Sequence, residues 1–209
     1  MFPPEVLLAY VGACLIIIIS PGPDNILSIS RGLSQGHQAA CVSSVGAGLG
    51  IVVHTLAAVF GLGLLIQTSQ SAFWIVKIAG ACYLIWLGIR ALRSGELISF
   101  APAARKSLGA IFRTGFLSNV LNPKPSLFVL AFIPQFVSAQ RGSIQMQMLV
   151  YGVIFAVMTA ALFSTMGCFA SQLTGFLRRR PKTSTALNTG AGLTFIASGL
   201  SILAIRQRP

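Results

Sequence analysis

Ser20-Pro21-Gly22-Pro23-Asp24-Asn25 follows an unbroken apolar run, Leu15 to Ile19, at a place where a bilayer-spanning helix should still be running. Proline lacks an amide donor and its ring clashes with the preceding turn, so a helix breaks or kinks here and the freed carbonyls need new partners. Irregular backbone at membrane depth is tolerated where it is buried in protein or lines a cavity, which is also where transporters bind substrates and coupling ions. A second stretch of this kind, Asn122-Pro123-Lys124-Pro125, stands in the other half of the chain. Its prolines follow Pro21 and Pro23 at one common offset of 102 positions (123 − 21 and 125 − 23).

The composition agrees with a lipid environment. Of 209 residues, 55% are hydrophobic and 9% charged, whereas a soluble domain carries about a quarter charged residues. Three acidic residues, Glu5, Asp24 and Glu96, oppose fifteen Lys and Arg, for a net charge of +12. The basic residues fall mostly in short loops without interleaved aromatics, which argues against a nucleic-acid partner and for anionic lipid headgroups beside those loops. Cys14, Cys41, Cys82 and Cys168 each lie within an apolar segment and form no Cys-x-x-Cys pair, so no disulfide framework, metal site or cofactor is indicated. The apolar N-terminus has Glu5 where a signal peptide wants positive charge, and reads as a retained first span.

Six spans account for nearly the whole chain as a single integral membrane domain. They run over about 6–29, 39–66, 72–92, 111–137, 148–173 and 185–205, with polar loops at 31–38, 67–71, 94–106, 139–147 and 178–182. The longest connection, 94–106, divides the chain into halves of about 1–100 and 101–209. Arg31, the group Arg90, Arg93, Arg105, Lys106 and Arg113, and the 178–182 cluster place the odd loops in the cytoplasm by the positive-inside rule. A three-span unit repeated in sequence must lie upside down relative to its twin. The expected fold is therefore all-α: six transmembrane helices as two inverted three-helix repeats, with proline-broken helices 1 and 4 meeting at a central site. Gly46-x-x-x-Gly50 lets a neighbouring helix approach closely, within one protomer or between protomers of a homo-oligomer.

The candidate substrate and ion-binding residues are Pro21, Gly22, Pro23, Asp24, Asn25, His54, Lys77, Asn122, Pro123, Lys124 and Pro125. A charge at the bilayer centre costs at least ~2.5 kcal/mol unless paired or hydrated. Asp24 and Lys124, one in each break, either face a common cavity and present complementary charges to a zwitterion, or merely cap helix ends at the interface. His54 is the one histidine within a span; it is a candidate proton carrier, or a hydrogen-bonding residue between helices. Lys77 reads as a site residue or as a side chain reaching to the interface. Asn25 and Asn122 suit the freed backbone groups.

These residues, with Lys77-x-x-Gly80-Ala81-x-Tyr83-Leu84-x-x-Leu87-Gly88 and Leu127-Phe128-x-x-Ala131-Phe132-x-Pro134-Gln135-Phe136, resemble the LysE/RhtB family of amino-acid exporters along the whole chain. The resemblance implies a bacterial inner-membrane exporter, not an enzyme, that moves amino acids or close derivatives out of the cytoplasm by exchange with protons. Pro125 departs from the commonest family pattern. The rival readings are a membrane thiol-disulfide electron relay, which would need a cysteine beside each break although none lies between 111 and 137, and a structural subunit without transport activity.

Overall fold

The structure, a computed structural model, describes residues 2–19, 22–61 and 106–174, with isolated positions and short runs between 78 and 93 and between 185 and 200. Every regular element among the described residues is helical. Most of the third and sixth expected spans, Pro21, Lys77 and the 178–182 cluster lie outside the described residues.

The first expected span is two helices. α1 (Pro4–Ile19) is apolar on all sides, and Tyr10, Cys14 and Ile18, four residues apart, form its buried stripe, while Leu8, Ile16 and Ile19 stay exposed, as lipid-facing side chains do. α2 (Pro23–Gln35) begins with a proline at its first turn, where the missing N–H costs nothing. Its axis turns 62° from that of α1. Unlike α1 it is largely polar, and it buries Asp24, Asn25, Ser28, Ser30 and Arg31 against neighbouring helices.

α2 runs on to Gln35, so the expected polar loop from Arg31 to Gln38 reduces to a turn at Gly36, whose φ of 89° suits glycine. Arg31 is consequently a buried helical side chain, 2% exposed, and not a loop charge available to lipid headgroups. α3 (His37–Val59) is about 34 Å long at 1.5 Å per residue, enough to cross the hydrocarbon layer. It ends short of the expected Ile66 because Gly61, at φ 74°, turns the chain after Phe60.

The second broken helix repeats the plan. α4 (Leu108–Val120) is capped by the Ser107 hydroxyl, which accepts from the Ala110 N–H, and α5 (Pro123–Leu127) follows after a turn at Leu121 and Asn122. A π-helical turn, Phe128–Phe132, and a 3₁₀ turn, Ile133–Phe136, continue it, and the axis turns 49° across the break. The irregularity follows from Pro134, which cannot extend the α ladder; the Ile133 N–H reaches back five residues to the Phe128 carbonyl instead. α6 (Ile144–Gln172) is the longest helix, about 43 Å. The polar loop expected up to Gln147 stops at Ser143. Gln147 is a fully buried helical residue whose amide binds the Ser138 N–H and carbonyl and the Gly142 carbonyl, at 2.9–3.1 Å.

Close backbone approaches hold these helices together. A Cβ on Gly32 of α2 would collide with the Gly167 carbonyl of α6. On Gly46 or Gly50 of α3 it would meet α4 at the Phe112 carbonyl or the Asn119 side chain, so the Gly46-x-x-x-Gly50 pattern is an α3–α4 contact. Gly152 of α6 rests on Thr55 of α3. Beside it, Tyr10 donates to the Tyr151 carbonyl at 2.7 Å within an aromatic cluster of Phe128, Phe136 and Phe155. Gly88 packs on Gly192 and Ile196, joining the described positions of the third and sixth expected spans.

The Sγ atoms of Cys41 on α3 and Cys168 on α6 lie 3.9 Å apart. Copper-phenanthroline oxidation of the purified protein should therefore remove two thiols per molecule through an intramolecular bond. That bond should be absent in Cys41→Ser and in Cys168→Ser. Unchanged thiol counts in the native protein would refute the α3–α6 packing.

Candidate functional site

The helix breaks are repaired by polar side chains, and the same side chains build the site. In the first break, Gly22 donates its N–H to Asn25 Oδ1 at 2.9 Å, and Asn25 Nδ2 points back to the Ile18 carbonyl at 3.5 Å. Asn25 thus serves the freed backbone, as its position suggests. In the second break, Pro123 has no N–H for the carbonyl of Asn119, four residues earlier. His54 Nε2, from α3, occupies that place at 3.1 Å. A carbonyl only accepts, so Nε2 carries the proton in this contact. Asn122 caps the next turn, its Oδ1 accepting from the Lys124 N–H at 3.0 Å.

Asp24 does not cap its own helix. Its carboxylate reaches across to the second break, where Ser118 Oγ donates to Oδ1 at 2.9 Å, and Asn119 Nδ2 and Asn122 Nδ2 donate to Oδ2 at 2.8 and 3.0 Å. Asp24, Ser118, Asn119 and Asn122 are all buried. The charge-capping alternative is thereby set aside: the acidic residue of one break is gripped by three donors of the other. Lys124 is near enough to act on Asp24 electrostatically, and its Nζ would stand 3.4 Å from a Cβ placed on Gly22.

These groups surround one cavity. Gly22, Asp24, Asn25, Asn122, Lys124 and Pro125 all line it, so the two breaks do share a polar space. Ile17, Ile18, Ile51, Phe155 and Phe163 make its apolar wall. The cavity is narrow, with ≈ 20 Å³ wide enough for the centre of a water molecule, which is room for about a single water. Pro23 is buried as the first residue of α2, and Pro123 is half-buried as the first residue of α5; both shape the breaks without lining the cavity. His54 stands one step behind the cavity and reaches it through Asn119.

Ser118, Asn119 and Thr159 belong to the site but escaped the sequence reading. Ser118 and Asn119 carried a usable signal. With Asn122 they form a polar trio spaced for one helix face. Asn119 explains Gly50 as well: its Oδ1 has no donor among the described residues and rests on the Gly50 backbone, where a Cβ would come within 2.5 Å of it.

A bilayer protein with two broken helices around a small charged and apolar cavity is a membrane transporter by architecture. The chain belongs to the LysE type translocators, whose family model matches residues 15–205. It is thus a transporter and not an enzyme, and the bacterial inner membrane fits it. It is 31% identical over 200 residues to the homoserine/homoserine lactone efflux protein of Salmonella typhi, covering 95% of this chain and 96% of the relative. An uncharacterized membrane protein of Vibrio cholerae is 32% identical over 197 residues, 94% and 95% of the two chains. The leucine efflux protein of Klebsiella pneumoniae is 26% identical over 195 residues, 90% of each. No solved structure matches.

Two sets of variants test this geometry by thermal unfolding in detergent. His54→Leu removes the imidazole donor from the Asn119 carbonyl, which keeps the Asn122 N–H at 3.0 Å, and should cost about 1 kcal/mol, His54→Gln should lose less because it keeps an N–H, and Asn119→Ala should lose most because Asp24 loses a partner. Gly50→Ala should destabilise by displacing Asn119, whereas Gly12→Ala, which has nothing within 4 Å of the new methyl, should be neutral. Equal behaviour of Gly50→Ala and Gly12→Ala would refute the Gly50–Asn119 contact.

Proposed function

We propose that this protein exports a small zwitterion, an amino acid or close derivative, from the cytoplasm by exchange with protons. The observation that carries the reading is the cavity between the two breaks, where Asp24 and Lys124 stand together beside an apolar wall. A zwitterion needs one group of each sign near its head and a dry surface for its side chain. The relatives named for homoserine and leucine efflux add support for an amino-acid substrate.

The mechanism we infer is alternating access between two inverted three-helix halves of a six-span protein. Three features support it. The breaks recur at an offset of 102. The first part of each broken helix packs on a long helix of the other half: α1 on α6 through Tyr10, and α4 on α3 through Phe112, itself 102 positions after Tyr10. The cavity also has too little room for an amino acid, so the substrate enters only when the breaks part. The Asp24 cluster then serves as the latch that opens and re-forms. Protons are the proposed counter-ion, and the basic cytoplasmic loops meet anionic lipid.

Proteoliposomes loaded with labelled leucine, homoserine, lysine or glutamate test the reading, with and without a pH gradient. The native protein should move at least one of the neutral pair, faster with the gradient. Asp24→Asn places a third amide, itself a donor, among the three donors that hold the carboxylate, and Lys124→Ala removes the cation; each should reduce the rate by at least tenfold. Transport of none of the four would overturn the export reading, and full activity of both variants would overturn the site.

A further inference from the structure

Three residues of α6 spaced four apart, Phe155, Thr159 and Phe163, form the wall facing the two breaks. Thr159 is 2% exposed and sits as a single hydroxyl between two rings. Its Oγ1 is buried and has no hydrogen-bond partner among the described residues.

A helical Ser or Thr has a carbonyl at hand four residues back, and it usually donates to it when buried away from other partners. Several hydroxyls in these helices follow that rule: Ser44 donates to Ala40, Thr55 to Ile51, Thr114 to Ala110 and Thr165 to Ala161, each at 2.8 or 2.9 Å; Ser30 on α2 is also buried without a partner among the described residues, but it does not line the cavity. Thr159 does not bond to the Phe155 carbonyl. A buried hydroxyl that forgoes its local acceptor at a cavity wall is held for something that enters the cavity.

We propose that Thr159 is a substrate-binding residue of this cavity, and that the ligand it takes is a zwitterion with an uncharged side chain. The inference rests on the export reading above and adds to it a residue and a selectivity. Lys124 is the cation among the described lining residues and takes the carboxylate end. Asp24 supplies the negative charge on the ammonium side but is engaged by three donors, so Thr159 Oγ1 adds a hydrogen-bond acceptor for the ammonium group. Phe155 and Phe163, one helical turn to either side, face the substrate side chain. Among the described residues the lining holds no charged side chain besides Asp24 and Lys124, so a lysine or glutamate side chain would be buried against it without a counter-charge.

Transport kinetics in proteoliposomes test this with leucine and homoserine as probes. Thr159→Val keeps the shape and removes the hydroxyl; it should raise KM about tenfold, as the loss of one hydrogen bond to a charged group does, with the maximal rate within twofold. Thr159→Ser should restore the native KM. Thermal stabilisation of the detergent-solubilised protein by leucine gives a second readout that needs no turnover. It should be lost in Thr159→Val and in Thr159→Ala and kept in Thr159→Ser. An unchanged KM and unchanged stabilisation in Thr159→Val would overturn the role of Thr159 while leaving export intact. Lysine or glutamate carried better than leucine by the native protein would overturn the selectivity. Movement of no probe by the native protein would instead overturn the reading on which the proposal rests.

Discussion

The carboxylate of Asp24, held by Ser118, Asn119 and Asn122 from the opposite half of the chain, is the constraint on which the site depends. A carboxylate buried in a membrane protein is tolerable only with such partners, because bulk water is not there to solvate it. Three converging donors and a nearby ammonium meet that demand, and in doing so they bring the two helix breaks face to face. Any one of the donors replaced by an apolar group leaves the others to bear the desolvation, at about 1–3 kcal/mol for each group left unsatisfied. Asp24 therefore acts as a strong organiser and a vulnerable one.

The breaks themselves would be costly without borrowed donors and acceptors. Each proline removes one rung of the helix ladder, and side chains replace it: Asn25 within its own break, Asn122 within the second, and His54 from a neighbouring helix for the Asn119 carbonyl. Asn119 receives His54 at its carbonyl, grips Asp24 with its amide and rests on Gly50, so backbone repair, charge stabilisation and helix packing meet at one residue.

Much of this architecture was legible in the residues. Proline chemistry is local, so both breaks were readable from their own few residues, and the long apolar segments announced a bilayer. The Gly46-x-x-x-Gly50 pattern foretold a close helix contact, and the cavity does unite Asp24 with Lys124. Loop boundaries were less legible. Arg31 looked like a cytoplasmic loop charge, yet α2 carries it into the protein interior, because polar residues in a membrane protein can be enclosed by neighbouring helices as well as exposed to water. The span expected over 39–66 has its helix end at Val59, because the chain turns at Gly61 in the left-handed region.

By itself the sequence determined a bilayer protein with two proline breaks, one acidic and one basic, at matching places in its two halves. Those features follow from the hydropathy of segments and from the missing N–H of proline, and neither depends on what lies far along the chain. Only the tertiary structure decided that Asp24 binds Ser118, Asn119 and Asn122, that His54 repairs the second break, and that Thr159 faces the cavity. The partners of Asp24 lie 94 to 98 positions from it. Contacts of that kind are set by which glycine lets which pair of helices approach, and helix approach is a property of the packed molecule.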